Sequence, residues 1–157
     1  CDDNAYINGF LAAAGVGNVV TNQACVAGAV GGCQAEVGTA AAMAAACAVA
    51  MMGGTTEEVV TAMTLCMKNV LGLVCDPVAG LVEVPCVKRN GIYAVHALAA
   101  AEMALAGLRS RIPADEVIGA MDSIGRALPE ALRETSEGGL ARTKTGMEIT
   151  NRLAHQK

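Results

Sequence analysis

Three cysteines of this chain stand where regular structure is broken. Cys33 follows Gly31 and Gly32 in "VGGCQAEVG", with Gln34 and Glu36 close behind; Cys75 precedes Asp76 and Pro77; Cys86 follows Pro85. A thiol at a helix start meets free backbone N–H groups and the positive end of the helix dipole, both of which favour the thiolate. Glycines beside it let a bulky inorganic group approach with no Cβ in the way. No Cys-x-x-Cys pair occurs, so zinc-ribbon and ferredoxin spacings are absent. Two readings stand at this point: three unrelated loop thiols, or three thiols that converge. Converging, they would suit an iron–sulfur cluster with one iron left open, because four thiolates close a cluster and three leave a corner for substrate oxygen.

The other cysteines read differently. Cys47 in "AAACAVA" and Cys66 in "MTLCMKN" sit mid-helix among apolar neighbours, and Cys25 in "NQACVAG" is similar, so all three are expected to be inert buried thiols. His96, on an apolar helix, is expected to be a core or interface histidine rather than a base. Glu36 is expected either to orient an ammonium group or to cap its helix. Asp76 is expected to accept N–H groups of its own loop. Lys88, Arg89 and Asn90 follow Cys86 and are candidates for a substrate carboxylate or for solvation of a helix start. Arg142 and Lys144 are expected to be surface charge.

The elements that must position these groups are helical. Residues 5–14 read as one helix closing near Gly15, and 17–30 as a second apolar stretch ended by Gly31 and Gly32. Residues 35–52, "AEVGTAAAMAAACAVAMM", are dense in strong helix formers and stop at Gly53 and Gly54. Thr55 with Glu58 three residues on forms a capping box for a helix over 57–70. The stretch 71–91 is apolar yet rich in helix breakers, so its buried backbone needs partners. Helices are expected again at 92–108, 114–127, 129–134 and 146–154, with a flexible basic loop between the last two. The fold class is all-α, one domain over 1–157 with six to eight helices, two of them buried on all sides.

Composition agrees. Of 157 residues 54% are hydrophobic but only 2% aromatic, so the core is built of Ala, Val, Leu and Met. Net charge is −4 with no basic run, which speaks against a nucleic-acid partner. Residues 37–54 carry no charge and approach spanning length, but the alanine content and the lack of flanking Lys, Arg or aromatic belts favour a helix buried in protein over a membrane span. Seven cysteines in irregular spacing, with no signal peptide, point to a reducing cytoplasm. The start at Cys1 and the absence of charge over residues 4–35 suggest one piece of a larger enzyme.

"GGCQAEVG", "LGLVCDPVAGLVEVPC" and "ETSEGGLA" resemble the iron–sulfur-dependent L-serine dehydratases, in the C-terminal part of their catalytic α subunit or α domain, over about residues 8–147. The resemblance implies a [4Fe–4S] cluster on Cys33, Cys75 and Cys86. It also implies a lyase that converts L-serine to pyruvate and ammonia without pyridoxal phosphate. Hydroxide is a poor leaving group, and coordination to iron would stabilise its developing charge. The implied partners are L-serine and a β subunit or β domain, in a homo- or hetero-oligomer; an N-terminal portion of the α chain and the β domain lie outside this sequence. One departure is Val30, where many members of the family carry an acidic residue. The competing reading is a non-catalytic helical module whose cysteines are structural or bind zinc.

Overall fold

Glycine misleads in the first helix. In the computed structural model, which describes residues 2–156, α1 (Asp3–Gln23) runs unbroken through Gly15 and Gly17. Its glycines serve close packing rather than chain reversal: a Cβ on Gly9 would overlap Met51, and one on Gly17 would lie 3.1 Å from Met43 Cε. Cys1 lies outside the described residues.

A short turn, α2 (Gly28–Gly31), then leads through Gly32 into α3 (Cys33–Met51). Small alanines along α3 let α1, α4 (Thr56–Lys68) and α5 (Cys86–Leu105) pack against it, which makes it the centre of the fold. It is long and apolar enough to cross a membrane, but 61% of that window is buried against the other helices, so it is a core helix of a helical protein. It is not buried on all sides, since Glu36, Ala40 and Ala44 form an exposed stripe. Every residue of α4 from Thr61 through Met67 is buried. The capping box at its start is present, with Thr55 Oγ1 accepting from Glu58 N at 3.2 Å and Thr55 N donating to Glu58 Oε2 at 2.7 Å.

α6 (Ala114–Ala127) crosses α2 and α4, and α7 (Lys144–Ala154) packs on the irregular segment that follows α4. Seven α-helices and no strands occur among the described residues, so the architecture is all-α. α5 begins at Cys86, six residues earlier than the pattern at 92–108 suggests, and this places Lys88, Arg89 and Asn90 within a helix. The expected helix at 129–134 is a single 3-10 turn, Glu130–Leu132, and the expected basic loop contains another, Gly139–Arg142.

The segment between α4 and α5 finds partners for its backbone on two neighbouring pieces of chain, the start of α3 and residues 132–136. Cys75 N donates to Leu132 O at 2.9 Å and Glu134 N donates to Cys75 O at 2.8 Å, a parallel bridge of two short extended pieces. Gly72 N donates to Gln34 Oε1 at 2.9 Å, and Leu73 O accepts from Gln34 N at 2.9 Å. Pro77 O accepts from Ser136 Oγ at 2.6 Å, and Ser136 Oγ accepts from Gly80 N at 3.0 Å. Irregular buried backbone is costly only when such groups go unpaired, and here neighbouring elements hold the loop in place.

Candidate functional site

Cys33 is the first residue of α3, and Gly32 sets it there. Gly32 has φ +76, and a Cβ at that position would lie 2.7 Å from Leu128 Cδ1 and 2.8 Å from Leu73 O. Gly31 and Gly125 bring α2 and α6 together backbone to backbone, since a Cβ on Gly125 would lie 2.9 Å from Gly31 Cα. The space freed by Gly31, Gly32 and Gly125 is thus filled by protein. This corrects the expectation that the paired glycines clear room for an inorganic group. No side chain caps α3; its Gln34 N–H is taken by Leu73 O at 2.9 Å and its Ala35 N–H by Gly32 O at 3.1 Å.

Gln34, whose role the sequence leaves unassigned, ties the site together. It is fully buried; besides its bonds to Gly72 and Leu73, its Nε2 donates to Met121 O at 2.9 Å. Thus α3, α6 and the segment carrying Cys75 are fixed relative to one another by one amide.

The thiols converge. Cys33 and Cys75 are both buried and share one small apolar cluster with Val37. The six described cysteines are free. Burial pushes the Cys75 thiol up strongly, and a hydrogen bond and charge from Cys33, then Glu134, then Cys86 push it further. Cys86, partly buried at the start of α5, is also raised, by burial first and then by Cys33, with Arg89 opposing. Cys75 and Cys86 therefore both lie close enough to Cys33 to be raised by it. No group of three His, Cys, Asp or Glu side chains among the described residues is arranged to hold one metal ion. A cluster spreads its thiolates over separate irons and does not require such a point.

Arg89 is the cation of the site. Its Nη1 donates to Cys33 Sγ at 3.3 Å and to Val74 O at 2.8 Å, while Nη2 pairs with Asp76 Oδ1 at 3.1 Å. Burial opposes its charge, but the bonds to Cys33 and Asp76 outweigh this and hold it firmly protonated. Asp76 is 3% exposed and uses Oδ2 to accept from Leu140 N at 2.8 Å. It therefore braces a different loop and Arg89, not the N–H groups of its own loop as expected. A Cβ on Gly139 would overlap this carboxylate, which is why that loop carries glycine there.

Other candidates fall outside this network. Lys88 is exposed on α5, and Arg142 and Lys144 are exposed as expected. His96 donates Nε2 to Cys66 O at 2.9 Å and stacks edge-on against Tyr93, a core role. Glu36 is exposed and caps nothing, but it points toward Gly28 and its charge adds to the raising of the Cys86 thiol, so it borders the network. Val30 is exposed, and its carbonyl accepts from Arg133 Nη1 at 3.5 Å. Sequence reasoning missed Glu134, which reaches Cys75 from a segment nearly sixty residues further along; the motif "ETSEGGLA" contained it, but no spacing rule linked it to a thiol.

The donor set fits a cluster held through three thiolates: free thiols from three elements, two of them at helix N-termini, with a guanidinium donating to one sulfur. Fold and site thus define a helical protein with a convergent thiol centre. Residues 1–141 match the family described as "Serine dehydratase alpha chain", and the chain belongs to that family. It is 61% identical over 145 residues to the "Probable L-serine dehydratase, alpha chain" of Bacillus subtilis (strain 168), covering 92% of this chain and 48% of that protein. It is 59% identical over 155 residues to the protein of the same name from Latilactobacillus sakei, covering 99% and 74%. The match to "L-serine dehydratase 1" of Escherichia coli (strain K12) is 45% over 137 residues, covering 87% and 30%. The chain spans about half the length of the Bacillus subtilis relative.

Proposed function

We propose that this chain is the cluster-bearing part of the α chain of a cytoplasmic L-serine dehydratase, a lyase forming pyruvate and ammonia from L-serine without pyridoxal phosphate. The observation that carries the reading is the convergence of Cys33, Cys75 and Cys86 from three elements, with Arg89 donating to Cys33 Sγ. A [4Fe–4S] cluster on those three thiols would supply an open iron as Lewis acid for the leaving hydroxyl.

The chain's own residues provide the setting. Arg89 donates to Cys33 Sγ at 3.3 Å, and Cys33 opens α3 at the positive end of its dipole. The buried Arg89–Asp76 pair locks α5 to the loop at Leu140, so that Cys75 and Cys86 keep a fixed relation. Burial of Cys33 and Cys75 keeps bulk water from competing at the sulfurs. In the names of the relatives the α chain implies a β partner, and the assembled enzyme is taken to need it.

Anaerobic reconstitution with iron and sulfide tests the proposal. The expected outcome is a brown protein that forms pyruvate from L-serine once the β chain and the remaining α-chain segment are supplied. A colourless protein holding one zinc, with no pyruvate formed, would establish the structural module instead.

A further inference from the structure

α3 is the centre of the fold, yet one side of it reaches the surface. Its exposed stripe runs through Glu36, Ala40 and Ala44, and Ala40 lines a groove on either hand. The groove toward α5 is about 160 Å³ and is bordered by Asn90 and Ala94; the groove toward α1 is about 400 Å³ and is bordered by Asn18 and Thr21. The three helices therefore present one continuous face. Helical spacing extends it past the grooves, since residues three and four apart share a side of a helix. Ile7 and Phe10 lie in line with Ala14 and Asn18 on α1, and Leu98 lies in line with Asn90 and Ala94 on α5; the three are 55%, 69% and 58% exposed.

Such a face is out of keeping with solvent. No charged residue occurs from Asn4 to Ala35, and Glu36 is the one charge on α3, whereas the outward side of a helix in water is normally polar or charged. A contiguous apolar surface of this kind marks a place of contact. A second observation lies in the α1 groove itself. Thr39 lines it, is 5% exposed, and has a hydroxyl with no hydrogen-bond partner. A buried hydroxyl left unpaired is unfavourable, and a polar group entering the groove would satisfy it.

Building on the function proposed above, we propose that this face seats the part of the α chain that the relatives carry and this chain does not: an apolar helical segment laid along the alanine stripe, with a polar group meeting Thr39. The chain spans 48% of the Bacillus subtilis α chain, so that relative holds about as much polypeptide again to cover the face. α1, with 21 residues, is about 30 Å long. Three helices spaced ~8–10 Å apart then make a face on the order of 600 Å², approaching the ~800 Å² that each partner gives to a stable interface. A seat without charge suits a permanent apolar occupant, because permanent interfaces are the more hydrophobic ones. The stripe starts at Glu36, one helical turn past Cys33, so the seated segment reaches the thiol centre at one end.

The test co-expresses this chain, tagged, with the untagged remainder of the Bacillus subtilis α chain. The two are expected to copurify in equal amounts. Ala44→Glu and Leu98→Glu put a charge on the face at exposed positions, where the fold accepts it. Each should cut recovery of the remainder about tenfold or more, because docking would bury that charge unpaired. Met147→Glu, at an exposed apolar position on α7 away from the face, should leave recovery unchanged. Thr39→Val should raise the urea midpoint of the chain alone, by removing an unpaired hydroxyl, yet weaken the pair several-fold. A wild-type chain recovered without the remainder overturns the inference, as does equal recovery with Ala44→Glu and Met147→Glu. A wild-type chain that instead forms a dimer dispersed by Ala44→Glu, or that takes the β chain on this face, also overturns it, the occupant then being a second copy or the β chain. None of these readouts uses iron or pyruvate, so their failure leaves the proposed function standing. A copurified pair that loads no iron and forms no pyruvate with the β chain overturns that function and leaves the docking intact.

Discussion

Cys66 and Cys75 are both buried thiols, 0% and 2% exposed, yet their surroundings differ in kind. Cys66 lies mid-way along α4 in the core cluster, and burial alone pushes it up to about 12. Cys75 lies on irregular backbone, raised by burial and also by Cys33, Glu134 and Cys86. Depth therefore does not separate an isolated thiol from one of a gathered set. What separates them is whether other ionisable groups were brought to the same place. An isolated buried thiol is a small hydrophobe, whereas Cys75 shares its place with Cys33, Cys86 and Glu134, and a guanidinium donates to Cys33.

The sharpest test of this contrast is a pair of serine substitutions. Cys75→Ser, like Cys33→Ser and Cys86→Ser, is expected to abolish iron loading and pyruvate formation. Cys66→Ser should retain both and cost about 1–3 kcal/mol in urea unfolding, for a hydroxyl placed among apolar atoms. Bleaching by Cys66→Ser with iron retained in Cys75→Ser would reverse the assignment.

The next effect in size concerns the ion pair that supports the gathered set. Asp76→Asn or Arg89→Met leaves one buried partner uncompensated and should cost about 3–5 kcal/mol, since the two side chains are only 5% and 13% exposed. Arg89→Lys keeps the charge but cannot span Cys33 Sγ, Val74 O and Asp76 together, so its stability and iron affinity should lie between wild type and Arg89→Met. Chemical denaturation with iron analysis on the same samples resolves both effects.

Gly32 and Gly53 offer a smaller comparison. Both have a left-handed backbone, φ +76 and +78, but a Cβ on Gly53 meets nothing whereas one on Gly32 meets Leu128 and the Leu73 carbonyl. Gly53→Ala should cost about 1 kcal/mol, and Gly32→Ala more, about 1–3 kcal/mol from backbone strain with the clash in addition. Only Gly32→Ala should disturb Cys33, read as lower iron content.

The smallest effect appears at alkaline pH. Cys66 has a folded pKa raised from 9.0 to about 12, so the folded state holds its proton more tightly than the unfolded chain. Its contribution is fully present below about pH 9 and is lost as pH rises toward about 12. The urea midpoint should therefore fall as pH rises from about 9 to about 11, and fall less in Cys66→Ala. An identical decline in both proteins would remove burial as the cause.

Local signals carried much of this molecule. Alanine density announced α3, the Thr55 and Glu58 pair announced the start of α4, and the helix over 114–127 was readable to the residue. The breaks beside Cys33, Cys75 and Cys86 singled these out from Cys47 and Cys66. Other assignments were not legible locally. Gly15 reads as a stop but lies inside α1, because a glycine ends a helix only when nothing beyond it rewards continuing, and here Val16 and Val20 are buried in the core.

The sequence by itself determined the helical class, the composition of the core and which thiols stand at broken structure, because these depend on residues within a turn or two of one another. Tertiary structure alone decided that Gln34 would tie three elements together, that Asp76 would brace Arg89 and the Leu140 loop, and that Glu134 would face Cys75 across Gly28. Such pairings join groups tens of residues apart. No period or spacing encodes them, because they arise from how small-residue helices close on one another and which side chains are left facing the same gap.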